Sequence, residues 1–275
     1  MKFTPEKIIN RITVSENGGE LRAIYPHFIA SKYDLELSVT KINGRYYANE
    51  NGCVVRYLKE SGIYPLYEKN RKKLDSVFGI VLSEGKLQRG YAREDKGYFD
   101  FIKNLIFILN LDLILPYLDA EERYSTDDCT TPNVGIPYED VSGYGACVQL
   151  KVYEKDDGYL ISSGIRYSDS DVGASTVFFK ECADGTVYID DGETHFDFRR
   201  NVLELLEQTD NGFEIFAELT SKICERFGIE LHDKRISMVS KPNTEVLLNN
   251  YFRFVQGAVL LSEIGYSGML HTKNK

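Results

Sequence analysis

The sequence predicts an α+β protein of two related small domains, each with a short antiparallel sheet and packed helices, including a long apolar C-terminal helix. The order strand, glycine turn, strand, helices, hairpin and helix occurs twice, at 42–114 and 183–264. Asn-Gly or Asp-Gly pairs bound the first strand of each copy, and such pairs close tight turns because they tolerate positive φ. The spacing is far too long for a solenoid, so each copy is expected to form a domain of its own.

The elements of the first half follow from local patterns. Alternating apolar and polar residues indicate half-buried strands, and Gly or Pro residues mark helix ends. The predicted elements are an opening helix from Thr4, strands at 21–25 and 35–42, a short helix at 53–61, a charged helix from Pro65, a strand at 87–93 and an apolar helix at 98–118. The charged helix holds a basic cluster with interleaved acids, which favours a solvated face over a nucleic-acid contact.

The second half shows the clearest hairpin, because Asp156-Asp157-Gly158 lies between β-prone runs at 147–153 and 159–161. A strand at 176–179, a helix ending near Phe227, a strand at 236–239 and a final helix at 244–264 are predicted after it. The helix that ends near Phe227 has Phe213, Phe216, Thr220, Ile223 and Phe227 at spacings of three and four, which predicts one buried face.

Residues 121–144 differ in composition from both halves, with several Asp, Pro and Gly residues and little periodicity. Such a segment is predicted to be either a flexible linker or a long ordered loop. The expected boundaries are therefore 1–120 for the first copy, 121–144 for the connection and 145–275 for the second copy.

Charge is distributed unevenly along a chain whose net charge is −9. Residues 1–120 hold 18 basic and 15 acidic side chains, a net charge of +3, and the remainder has a net charge of −12. An acidic half disfavours nucleic-acid binding there, because phosphate contacts require concentrated positive charge. The acidic surface either faces a basic protein partner or serves solubility.

A cytoplasmic location is expected from the cysteines and the N-terminus. The five cysteines are scattered and contain no Cys-x-x-Cys pair, which argues against a disulfide framework and a zinc ribbon. Residues 1–7 lack the apolar core of a signal peptide. Polar residues interrupt the apolar helix at 98–118 every few positions, which predicts a buried helix and no membrane span.

Asp190, Asp191, Glu193 and His195 form the densest set of candidate metal ligands. Carboxylates with a histidine at a strand end suit Mg²⁺ or Mn²⁺. The first copy has Asn49-Glu50-Asn51-Gly52 at this place, so the scaffold occurs there without the ligands. A turn with surface acids is therefore the preferred interpretation, with a metal site as the alternative. Neither a Gly-x-Ser-x-Gly elbow nor a phosphate-binding glycine loop occurs in the sequence.

Residues 148–264 resemble an uncharacterised domain-of-unknown-function family of bacterial and phage proteins. The resemblance covers the paired strands, the run Tyr188-Ile189-Asp190-Asp191-Gly192-Glu193-Thr194, the stretch Phe227-Gly228-Ile229 and the final helix. The first half matches more weakly, mainly through the duplication. These signatures are structural, and the resemblance implies no catalytic residue.

The leading hypothesis is a non-enzymatic, protein-binding accessory protein of a bacterium or phage that needs no cofactor. In this hypothesis an acidic or interdomain surface engages a protein partner, and inhibition of a host defence enzyme is one form of that role. The alternative is a metal-dependent hydrolase or nuclease that uses Asp190, Asp191, Glu193 and His195 with Mg²⁺ or Mn²⁺. A third possibility is a homo-oligomer formed through the apolar helices.

Overall fold

A computed structural model describes residues 3–118, 125, 128–132, 136–166, 174–191, 212–232 and 235–266. Within these residues the chain forms eight α-helices, one 3-10 helix and two six-stranded antiparallel sheets. The predicted α+β class is confirmed. None of the described helices has the length and apolarity needed to cross a membrane.

The first sheet and its helices are formed by the N-terminal part of the chain. The elements are, in order, α1 (Glu6–Ile9), β1 (Thr13–Asn17), β2 (Glu20–Ala30), β3 (Tyr33–Ile42), β4 (Arg45–Asn49), α2 (Cys53–Glu60), α3 (Tyr64–Phe78), β5 (Val81–Ser83), β6 (Lys86–Tyr91), α4 (Glu94–Leu109), α5 (Leu111–Ile114), the 3-10 helix Leu115–Tyr117 and α6 (Tyr144–Val148). Gly79 ends α3 in the left-handed conformation, with φ of 58°, as the Phe78-Gly79 pair predicts.

The second sheet and its helices follow α6. The elements are β7 (Lys151–Lys155), β8 (Gly158–Arg166), β9 (Ala174–Glu181), β10 (Val187–Asp190), α7 (Gly212–Phe227), β11 (Glu230–His232), β12 (Arg235–Ser240) and α8 (Thr244–Tyr266). The hairpin predicted at Asp156-Asp157-Gly158 joins β7 to β8. The prediction of strand structure from Cys147 was wrong, because 144–148 forms α6 and the strand begins at Lys151.

The chain divides into two compact units that are discontinuous in sequence. The first-sheet unit contains Asn10–Leu111 and Glu121–Gln149, and the second-sheet unit contains Met1–Ile9, Asp112–Ala120 and Leu150–Lys275. The predicted boundaries had assigned a contiguous stretch to each copy. The segment that follows residue 120 belongs to the first-sheet unit, where its described part makes hydrogen bonds with the sheet.

The two sheets have the same strand order and the same register. The first sheet runs β1-β2-β3-β4-β6-β5 and the second runs β7-β8-β9-β10-β12-β11. One cross-strand row of the first sheet consists of Ser15, Arg22, Ser38, Asn49 and Gln88. The matching row of the second consists of Tyr153, Leu160, Phe178, Asp190 and Ser237. Up to the irregular ends of β2 and β8, where the pairing shifts differently, each paired position of one sheet therefore has an equivalent in the other.

One face of each sheet forms the core with its helices. In the first-sheet unit α4 packs against β4 and β6, and in the second-sheet unit α8 packs against β9 and β12. The fully buried Phe179 ring lies 5.3 Å from Phe3 and 5.9 Å from Tyr251, measured between ring centroids. Because strand residues alternate between faces, the opposite faces of the two sheets carry the rows that contain Ser38 and Phe178.

Candidate functional site

The predicted metal ligands are only partly within the described residues. Asp190 ends β10, where it pairs with Phe178 and Ser237, and Asp191 follows directly. The two residues are 6% and 1% exposed, so they are not the surface acids of the preferred interpretation. Glu193 and His195 lie outside the described residues. Within the described ranges, no group of three or more His, Cys, Asp or Glu side chains could hold a metal ion.

A buried acid at the end of the fourth strand occurs in both sheets. Glu50 follows Asn49 as Asp191 follows Asp190, and Glu50 is fully buried. The Glu50 Oε2 atom accepts a hydrogen bond of 2.6 Å from the Val54 N–H, and Oε1 accepts one of 2.9 Å from the Leu87 N–H. Burial raises the pKa of the Glu50 carboxyl. In the first sheet this acid therefore joins the start of α2 to the β5–β6 hairpin, which is a structural role.

An open groove of about 530 Å³ lies on the second-sheet unit, between the segment 112–117 and α7. Its lining residues are Asp112, Leu113, Pro116, Tyr117, Lys222, Glu225 and Arg226. Arg226 donates two hydrogen bonds to Asp112, of 2.8 and 2.5 Å, and these bonds lower the pKa of the Asp112 carboxyl. Lys222 donates to Glu218 and to the Tyr117 hydroxyl. These charged groups satisfy one another and fix the segment to the helix.

A segment of the chain, residues 128–132 and 136–149, packs on the first sheet, and we call it the covering segment. Residues 128–132 lie on the outer face, whereas Tyr144 packs with Tyr46 and Tyr91 on the core face. The Thr131 N–H donates to Gln88 Oε1 at 3.2 Å, and Arg45 Nη1 lies 3.7 Å from Asp128 Oδ1. The segment passes so close to β6 that a Cβ atom at Gly90 would lie 2.2 Å from the Asp128 carbonyl oxygen. A glycine is therefore required where the segment crosses the sheet.

The outer face of the second sheet exposes apolar side chains at the equivalent places. Tyr47 pairs with Gly90 in the first sheet, and Tyr188 pairs with Val239 in the second, so Val239 occupies the position of Gly90. Val239 is 62% exposed and Tyr153 is 51% exposed. Leu160, Phe178 and Tyr188 are partly exposed on the same face. We call these residues the apolar patch: Tyr153, Leu160, Phe178, Tyr188 and Val239.

The apolar patch is continuous across five strands. Tyr153, Leu160 and Phe178 are direct cross-strand neighbours, as are Tyr188 and Val239. Phe178 and Tyr188 are diagonal neighbours on β9 and β10, a distance within reach of aromatic rings. The first sheet has Ser15, Arg22, Ser38, Tyr47 and Gly90 at the same positions. The second sheet thus presents apolar side chains where the first has the exposed polar residues Ser15 and Arg22 and, at Gly90, its own chain.

The sequence interpretation missed this patch, although a signal for it was present. Leu160-Ile161 and Val177-Phe178-Phe179 are apolar at consecutive positions, so both faces of β8 and β9 have apolar side chains. A strand that is apolar on both faces is typical of a sheet covered on both sides.

Comparison with protein-family models, curated proteins and solved structures found no match for the chain.

Proposed function

We propose that the chain is a non-enzymatic protein-binding protein whose second sheet binds a partner through the apolar patch. The observation that supports this function is the exposure of Val239 at the position where Gly90 of the first sheet lies beneath the covering segment. We further propose that the two sheets arose by internal duplication, which accounts for their shared register. Over Val239, the partner then takes the place that residues 128–132 hold over Gly90 on the first sheet.

Burial of the patch supplies the driving force for binding. Apolar surface removed from water contributes about 25 cal/mol per Å², and contiguous exposed apolar patches mark interaction sites on soluble proteins. Tyrosine rings such as Tyr153 and Tyr188 contribute large contact areas with little loss of conformational entropy. Both rings lie on strands, so the sheet holds the contact surface in place before the partner arrives.

The charges around the patch indicate the chemistry of its partner. Lys151, Lys155 and Lys180 lie on the same face as Tyr153 and Phe178, by strand alternation. Lys180 forms an ion pair with Asp157. Asp190 and Glu230 lie on the same face, so the lysines form a basic border only on the β7 side of the patch. We therefore assign to the partner an apolar surface with acidic groups where it meets β7.

We propose that the protein acts in a bacterium or its phage, because residues 148–264 resemble bacterial and phage proteins. An accessory protein that holds another protein is consistent with a surface built from sheet residues and with no required cofactor. Inhibition of a host defence enzyme is one role of this kind. Copurification of stoichiometric Mg²⁺ or Mn²⁺ would instead favour the metal-dependent alternative, which uses Asp190, Asp191, Glu193 and His195.

A photo-crosslinking amino acid at Val239 or Tyr153 tests the proposed function in a bacterial lysate. We expect both variants of the full chain to crosslink to the same protein, because both positions belong to one patch. The matched control carries the crosslinker at Ser15, which is exposed and occupies the position of Tyr153 on the first sheet. Adding Phe178→Asp should abolish the specific product. Equal products from all three positions would contradict the proposal.

A further inference from the structure

The outer edges of the two sheets are also equivalent. β1 and β7 are both edge strands, and each is joined to the next strand by a two-residue turn, at Gly18-Gly19 and Asp156-Asp157. Hydrogen-bonded pairs alternate along such a hairpin from the turn. The main-chain groups of Val14 and Glu16 on β1, and of their equivalents Val152 and Glu154 on β7, therefore face away from the sheet.

The chain itself covers the edge of the first sheet. The Gly145 N–H donates a hydrogen bond of 2.7 Å to Glu16 Oε1, and the Gly143 N–H donates one of 3.3 Å to Oε2. A Cβ atom at Gly145 would lie 2.7 Å from Glu16 Oε1 and 3.2 Å from Val14 Cγ1. Gly145 thus allows the main chain of α6 to lie flat against β1, with Glu16 accepting its N–H groups.

The equivalent edge of the second sheet is open within the described part of the chain. Glu154 is exposed and makes no hydrogen bond or ion pair with any described residue. β7 pairs with β8 on one side, and the described residues provide no strand on the other. Edge strands with free main-chain groups and an unpaired acid attract donors from other chains.

We infer that the partner covers the β7 edge as residues 143–148 cover the β1 edge, with a glycine-containing turn that donates main-chain N–H groups to Glu154. This inference rests on the proposed function and adds the form of the partner segment. Val152 is at the position of Val14 and contacts the glycine of the partner's turn. The absence of a side chain at that glycine allows the close approach. Tyr153, on the patch face of the same strand, joins this edge to the apolar patch.

A peptide of residues 138–149 of this chain, with Cys147→Ser, is the probe for this inference. It contains the Gly143-Tyr144-Gly145 turn that covers β1. We expect its addition to the full-length, isotope-labelled chain to shift the amide NMR signals of 151–155. Glu154→Ala should weaken binding roughly tenfold, because one hydrogen bond to a charged group contributes about 1.5 kcal/mol or more. The same variant without peptide provides the check that its fold is unchanged.

The peptide with Gly145→Ala is the matched control and should bind β7 at least about tenfold more weakly, because the added methyl group separates the turn from the edge. Absence of shifts at 151–155, shifts confined to β1, or equal binding by Glu154→Ala would overturn the inference. These outcomes leave the proposed function standing if crosslinking at Val239 persists. Loss of that crosslink with retained peptide binding would overturn the proposed function alone.

Discussion

At Gly90 and Val239, the residue type limits how closely a covering main chain can approach the outer face of a sheet. Both occupy the same position in strands of the same register. At Gly90 the absence of a side chain allows the Asp128 carbonyl to lie against the strand. A valine at that position would hold the main chain of any covering segment several ångströms further away. The exposed Val239 side chain thus fits a partner that brings side chains rather than main chain to the sheet.

Gly90→Ala tests whether the close approach of the Asp128 carbonyl to β6 contributes to the stability of the fold. The new methyl group would lie 2.2 Å from the Asp128 oxygen, and main chain yields less easily than a flexible side chain. We expect the free energy of unfolding in urea to fall by about 1–3 kcal/mol, as for other overpacked sites. Val239→Ala, at the equivalent exposed position, is the control and should change it by about 0.5 kcal/mol or less. Equal effects of the two substitutions would contradict the assigned role of Gly90.

At the scale of elements, Glu50 connects a helix to a hairpin from the end of β4. Each of its oxygens accepts one main-chain N–H, from Val54 of α2 and from Leu87 of β6. A single buried side chain therefore satisfies donors of two elements that are far apart in sequence. Asp191 is at the same place in the second sheet, where it was predicted as a metal ligand. Asp191 and Glu50 occupy equivalent positions in the two sheets, and this equivalence follows from the strand register rather than from the residue types.

Glu50→Gln should destabilise the chain by about 1–3 kcal/mol near neutral pH, because an amide group offers one acceptor oxygen where the carboxylate offers two. Burial raises the Glu50 pKa above its ordinary value of 4.5. The corresponding stabilisation is complete below pH 4.5 and is lost as the pH rises through the folded pKa. The difference in unfolding free energy between wild type and variant should therefore be larger near pH 4.5 than at about pH 8.

Urea unfolding at both pH values measures this difference, and Glu68→Gln on the exposed surface of α3 serves as the control. The control should change the unfolding free energy by about 0.5 kcal/mol or less at either pH. A difference for Glu50→Gln that is constant or grows with rising pH would contradict the rise in the Glu50 pKa that burial causes.

Elements with local signals were predictable from the sequence. The β7–β8 hairpin follows from Asp156-Asp157-Gly158, and Asp156 has the positive φ, 49°, that such a turn requires. The helix predicted at 53–61 is α2, ended before the glycine at 62. By contrast, the run from Cys147 has β-branched and polar residues that suit a strand, but its place beside β1 and α4 makes 144–148 a helix. Long-range packing overrides local preference there.

At the scale of the whole molecule, the covering segment could not be assigned from sequence because its contacts are distant along the chain. Glu139 donates its N–H to Lys41 and accepts the Gly44 N–H, contacts that span about a hundred residues. Tyr144 inserts among Tyr46, Tyr91 and Tyr98, and its hydroxyl hydrogen bonds with that of Tyr91 at 2.9 Å. The loss of periodicity between 121 and 144 favoured a linker or loop but gave no sign of which sheet the segment packs on.

This division of the chain gives a last prediction, about which fragment folds. Residues 10–149 contain the whole first-sheet unit. The fragment 10–120 ends at the boundary predicted from the sequence. It lacks the buried residues Val141, Tyr144 and Val148, which are 4%, 3% and 0% exposed. Removing one buried aromatic side chain costs about 3–5 kcal/mol, and a domain is stable by only about 5–15 kcal/mol. We expect 10–149 to unfold cooperatively in urea and 10–120 to lack a cooperative transition. Cooperative unfolding of 10–120 with similar stability would show that the covering segment is an accessory to the unit rather than part of its core.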